Sequence, residues 1–197
     1  MNTLALIAAA GLGASAASAS VTFDLSGIAI DAATPLTLMM AASGSGNVVS
    51  GIDYSIDYGP ATGSVSWSEE LAIELIAPGG ATDGFGPAVG DGAADGNIHF
   101  GSTPESGFNA ARDMFADVLL GGSGTTGVPL SAAGSTSVMD GTNGDGTWTL
   151  VIGEIFDDTG MDGTFGAGSF ITVNFVPAPG AAALFGLGGL AAARRRR

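Results

Sequence analysis

Residue types that carry catalytic chemistry are thinly supplied in this chain. The single histidine, His99, lies between Ile98 and Phe100, and there is no cysteine. Covalent catalysis needs a nucleophile, a base and a group that orients the base, so one histidine flanked by apolar residues reads as structural. No Gly-x-Ser-x-Gly elbow is present: Gly44-Ser45-Gly46 and Gly122-Ser123-Gly124 are short turns that lack it. Carboxylates are plentiful, 19 in all, but no spacing singles out a pair of the kind that cleaves glycosidic bonds. Asp91 to Asn97, Asp140 to Asp145 and Asp157 to Asp162 are Gly-rich acidic loops, and calcium favours such oxygen donors. None has the D-x-[DN]-x-[DN]-G spacing, so each reads as a solvated turn. The expectation is no catalytic residue and no cofactor, with calcium at these loops the one metal that has physical support.

Another kind of chemistry would be done to the chain. Leu4 to Leu12 is a short apolar run, followed by small residues and by Ala17-Ser18-Ala19, the small-x-small pattern that signal peptidase reads. Cleavage is expected between Ala19 and Ser20. Met1-Asn2-Thr3 carries no Lys or Arg, so only the α-amino group supplies the customary positive charge. Near the other end, Val176-Pro177-Ala178-Pro179 precedes an apolar stretch, Gly180 to Ala193, and then Arg194, Arg195, Arg196 and Arg197. As a helix that stretch reaches only about 20 Å, short of a hydrocarbon core of about 30 Å, and it contains Gly186, Gly188 and Gly189. It therefore suits a transient membrane hold better than a permanent anchor. The four arginines would keep its far side cytoplasmic. Pro177 and Pro179 cannot continue a strand ladder or a helix interior, which predicts an extended segment open to a processing enzyme.

A Pro-x-Pro signature, an apolar segment with a Gly-Leu-Gly-Gly-Leu core and a closing Arg cluster resemble, in that order, the sorting signals of bacterial PEP-CTERM proteins. The resemblance covers about the last 22 residues. It implies recognition by an exosortase-type membrane protease and delivery to the cell surface or extracellular matrix. Ala178 stands where the common motif has glutamate, which makes this a variant.

All 19 acidic residues fall between Asp24 and Asp162, where Arg112 is the only basic residue and lysine is absent, so the body of the chain carries 1 − 19 = −18. So negative a surface repels phosphates and anionic headgroups, which excludes the electrostatic footprint of a nucleic-acid binder. The same charge keeps a protein with 34 glycines soluble. Without disulfides, stability must come from the core.

Short apolar or alternating runs closed by Gly, Asp, Asn or Pro recur from Val21 to Val176, the pattern of an all-β, antiparallel sandwich. Strands are expected at Val21 to Ile30, Val48 to Tyr58, Ser64 to Trp67, Leu71 to Ala77, Thr147 to Ile155 and Ser169 to Val176. Period-two alternation puts Leu71, Ile73 and Leu75 on one core face, and likewise Ile171, Val173 and Phe175. Asn109 to Leu120 reads either as a helix capped by Asn109 and stopped by Gly121 or, over Asp117 to Leu120, as an edge strand. Trp67 and Trp148 are expected to be buried.

Ser66 to Gly80, together with Asp140 to Leu150 and the acidic turn Asp157-Asp158-Thr159-Gly160, are similar to the P-domain of proprotein convertases, on a Gly-x-Trp-x-Leu strand at Gly146 to Leu150. The resemblance implies a jelly-roll sandwich used for stability, calcium binding or adhesion, without catalysis of its own.

Three segments follow: a signal peptide over residues 1–19, one jelly-roll-like sandwich over 20–175, and a sorting signal with a short hydrophobic helix over 176–197. The expected role is that of an exported, non-enzymatic surface or matrix protein, structural, adhesive or carbohydrate-associated. Its expected partners are signal peptidase, an exosortase-type protease, extracellular polysaccharide and, transiently, the membrane. The alternatives are a glycosidase-like secreted hydrolase and a calcium-bridged glycan-binding module, the latter needing an exposed loop-tip aromatic for which Phe85, Phe108 and Phe165 are candidates.

Overall fold

The computed structural model describes residues 19–31, 35–61, 66–80, 96–101, 116–155 and 161–178. They form eleven strands in two sheets. In chain order these are β1 (Ser20–Asp24), β2 (Ala29–Ile30), β3 (Leu36–Ala41), β4 (Asn47–Pro60), β5 (Leu71–Ile76), β6 (Asn97–Gly101), β7 (Val118–Leu119), β8 (Leu130–Thr136), β9 (Thr147–Glu154), β10 (Gly163–Phe165) and β11 (Phe170–Pro177). A single 3-10 turn, Ser68–Glu70, precedes β5.

The long β4 organises the first sheet. One of its edges carries β11 and then β10, with β1 and β2 beyond them, and its other edge carries β8. The second sheet has the order β3-β9-β5-β6-β7. All pairs are antiparallel except β6 with β7, which is parallel. The chain changes sheet at β2 to β3, β3 to β4, β4 to β5, β7 to β8, β8 to β9 and β9 to β10. Neither sheet can therefore form alone, and both supply one core.

That core follows from alternation. β9 points Trp148, Leu150 and Ile152 inward, and β11 points Ile171, Val173 and Phe175 inward, all fully buried. Trp148 tilts against Phe175 with ring centroids 6.0 Å apart. Its indole N–H reaches the Gly144 carbonyl at 3.1 Å, so the buried ring leaves no donor unmet. β5 is buried on both faces, Ala72, Glu74 and Ile76 as well as Leu71, Ile73 and Leu75.

Several expectations are corrected. Val21 to Ile30 is two strands, because Gly27 takes a positive φ of 74° and the chain bends between Leu25 and Ile28. Trp67 is half-buried at the entry to the 3-10 turn, not in a strand, with its indole N–H on the Thr126 hydroxyl at 3.2 Å. Within Asn109 to Leu120, the described part from residue 116 holds the edge strand β7; the rest lies outside the described residues. The β11 ladder runs through Pro177, which pairs with Asn47. Proline is tolerated there because it is the last residue of the strand and needs to donate nothing further.

Candidate functional site

The strand directions gather the described processing residues at one end of the sandwich. β1 leaves from Ser20 and β11 arrives at Pro177 as antiparallel neighbours, with Ser20 opposite Asn174. The Ala19 carbonyl accepts the Phe175 N–H at 3.0 Å, and the Ala178 N–H donates to the Gly46 carbonyl at 2.7 Å. Ala19 also packs against the core. The expected cleavage point at Ala19 and Ser20 thus lies beside the start of the Pro-Ala-Pro element, and Pro177 is exposed. Ala17, Pro179 and Arg194 to Arg197 lie outside the described residues, as does Gly180 to Ala193. Among the described residues, no helix is long and apolar enough to cross a membrane.

A clamp holds this end together. Asp145 accepts the N–H groups of Gly46, at 2.6 Å, and Asn47, at 2.9 Å. These two backbone bonds keep its carboxyl below the ordinary carboxylate range, because a hydrogen-bonded carboxylate is favoured as the anion. With both oxygens engaged, the acid that closes the Asp140 to Asp145 loop serves the backbone. Gly46 in turn receives Ala178, so the clamp supports the segment that carries the Pro-Ala-Pro element.

At the opposite end the chain buries acids that sequence reasoning did not bring together. Glu154 terminates β9, Glu70 closes the 3-10 turn and Asp162 precedes β10; their relative exposures are 5 %, 4 % and 0 %. The Tyr58 hydroxyl donates to Glu154 Oε1. The Ser66 hydroxyl lies 3.3 Å from the same oxygen and 2.7 Å from the Asp162 carbonyl. Burial pushes the Glu154 carboxyl up to about 7, and the charges of Asp162 and Glu70 add to this, while the bonds from Tyr58 and Ser66 oppose it. Burial also drives the Tyr58 hydroxyl well above its ordinary range, with Glu154 reinforcing the effect. A carboxyl that titrates near neutrality has the acidity of a general acid or base, but here it is an interior group whose near neighbours are a phenol and a hydroxyl. A β-carbon at Gly163 would collide with the Tyr58 ring and hydroxyl, so glycine at that position lets β10 close over the cluster.

Alternation carries a signal for this cluster. Glu154 is the next member of the inward set Trp148, Leu150, Ile152, and Tyr58 is the next after Ile52 and Ile56. Nothing local marks Ser66, Glu70 or Asp162.

His99 is fully buried. Its Nε2 lies 3.9 Å from Glu74 and its Nδ1 3.8 Å from Asp117, while its backbone N–H donates to Asp117 at 2.8 Å. Asn97 Nδ2 donates to Glu74 at 3.1 Å. Among the described residues, no group of three or more His, Asp or Glu side chains is disposed to hold a metal ion. Asp91 to Asp95 and Asp157 to Gly160 of the other acidic loops lie outside the described residues, as do Phe85 and Phe108. Phe165 is corrected: it is 1 % exposed in β10, tilted against Tyr58 at 5.4 Å, and is no loop-tip aromatic.

The open face of the first sheet is different again. Thr22 and Thr172 share a hydrogen bond at 2.9 Å, and Asn174 donates to Asp53 at 2.8 Å. Beside them is a shallow depression of about 460 Å³ lined by Thr22, Asp24, Ser26, Phe170 and Thr172. The Ser26 N–H and hydroxyl hold the Asp24 carboxyl below its ordinary range, so this rim stays anionic.

No family model matches the chain, and no curated protein matches it.

Proposed function

We propose that this chain is an exported, non-enzymatic β-sandwich delivered to the cell surface or matrix through a variant PEP-CTERM-type signal. The observation that carries the reading is the closure of the sandwich between its two processing elements. Among the described residues, the first ladder position is Ser20, directly after Ala17-Ser18-Ala19, and the last is Pro177, directly before Ala178. Removal of residues 1–19 and cutting beyond Ala178 would cost none of the described strands, only the contacts of Ala19 with Phe175 and the core. Sheet switching between consecutive strands, with Trp148 of the Gly-x-Trp-x-Leu strand in the core, supports a jelly-roll resembling the P-domain. The hydroxyl-rich face around Thr22, Thr172 and Phe170 supports a carbohydrate-associated role, because sugars are bound by such donors and acceptors beside an apolar ring. Among the described residues, the acids that meet do so inside the fold, which favours a structural role over glycoside hydrolysis.

Intact mass and cell fractionation test the proposal. The surface form is expected to begin at Ser20 and to lack Arg194 to Arg197, and deletion of those four arginines is expected to leave the protein uncut and in the membrane fraction. A surface form that retains Met1, or a deletion that changes neither mass nor location, overturns it.

A further inference from the structure

β8 is the longest edge strand among the described residues. It pairs with β4 from Ile52–Thr136 to Tyr58–Leu130 without a break in register, and the described residues pair nothing with its other side. Alternate residues of an edge strand aim N–H and C=O groups away from the sheet, a template for another strand. Proteins usually guard such edges with charge, proline or a bulge. β8 reads Leu-Ser-Ala-Ala-Gly-Ser-Thr and has none of these. Ser131, Ala133, Gly134 and Ser135 are exposed. Gly134 has no side chain, so its exposure is exposure of the backbone itself. By contrast β2 and β7 are two residues long, β1 ends in Asp24, and β3 lies alongside β1 of the other sheet.

We infer that two copies of the chain join edge to edge through β8, antiparallel about a two-fold axis at Ala133. That register sets Ala133 against Ala133, Ser131 against Ser135 and Ala132 against Gly134, with Leu130 opposite Thr136 at the two ends, so small side chains meet along its centre. A second copy is the occupant that fits. Strand addition gains specificity from side chains, and the exposed positions of β8 carry only Ser, Ala and Gly, whereas its own sequence is self-matching about Ala133. On the neighbouring strand the acids are Asp53 and Asp57, opposite Ser135 and Ser131. Across the join their strands stand about 14 Å apart, beyond the screening length of about 8 Å at physiological salt. With a net charge of −14 on each chain, low salt opposes pairing and added salt promotes it.

The absence of cysteine makes the test clean. In the full-length Ala133→Cys protein the two Cα atoms would stand about 4.5–5.5 Å apart, within disulfide reach. In Ser131→Cys they would stand about 13 Å apart, out of reach. Ala133→Cys is expected to cross-link under mild oxidation on the order of tenfold faster than Ser131→Cys or the exposed β3 control Thr37→Cys. An equal mixture of Ser131→Cys and Ser135→Cys, in which about half of the dimers oppose two cysteines, should cross-link at about half the rate of Ala133→Cys and well above either variant alone, which keeps the test decisive if the Ala133 variant folds poorly. Sedimentation of the unsubstituted chain should show dimer increasing with salt. Equal cross-linking at all sites, or a monomer at every salt concentration, overturns the inference.

Discussion

At the end of the sandwich where β1 and β11 leave, Asp145 holds two backbone amides and stays ionised; at the other end Glu154 is buried beside Glu70 and Asp162, and its carboxyl keeps a proton up to about pH 7. Both are acids at the margin of a sheet, so residue type alone does not explain the difference. Water and partner type do. Asp145 is half-exposed and faces N–H donors; Glu154 is nearly closed off from water, and the charges of Asp162 and Glu70 add to the effect of burial. The first arrangement ties loops together, and the second makes the fold sensitive to pH. Opposite pH responses should follow.

The largest expected effect is at the exit end. Trp148→Ala removes the ring that fills the space between Gly144 and Phe175 and should cost about 3–5 kcal/mol in urea unfolding. If the clamp depends on that ring, the Gly46, Asn47 and Ala178 amides should also exchange faster than the Ala61 and Ile155 amides beside the acid cluster.

An intermediate effect is expected at the acid cluster. The folded chain binds the Glu154 proton more tightly than the unfolded chain does, so folding takes up a proton between about pH 4.5 and about pH 7, and stability falls as pH rises through that window. Glu154→Gln, which stays neutral, should flatten this slope and raise the melting temperature at pH 8. An unchanged slope would mean that Glu154 does not hold its proton through that window.

The smallest effect is expected from Asp145→Asn. The Asp145 carboxyl is held below 3.8 in the fold, so its contribution is complete above that range and is lost as pH falls through it. The variant should melt slightly earlier at neutral pH and show less extra loss in acid.

How much of this was legible in the sequence depends on how each strand is buried. β4, β5, β9 and β11 are rich in apolar and β-branched residues, three of them with clear inward and outward faces, and all four were recognisable. Beyond Leu130, β8 is built of Ser, Ala, Gly and Thr and carries no alternation of hydropathy, so it is not among the expected strands. β6 is buried on both faces, and its Asn97 and His99 hid it for the opposite reason. β3 exposes Met39 and Met40, which blurs its pattern. The acid cluster was half legible, since alternation places Tyr58 and Glu154 inward. Its other members arrive through a turn and a connection, and only the packing of both sheets brings them there.

The shared exit of β1 and β11 has a mechanical consequence. A load applied between Ser20 and Pro177 would pull two neighbouring strands apart from the same end, opening their hydrogen bonds one after another. A load applied between Pro177 and the far end of the sandwich would instead shear β11 against both β1 and β4, so that many bonds must yield together. A sandwich held through its Pro177 side would resist a tug on its distant loops far better than a tug on its own first residue.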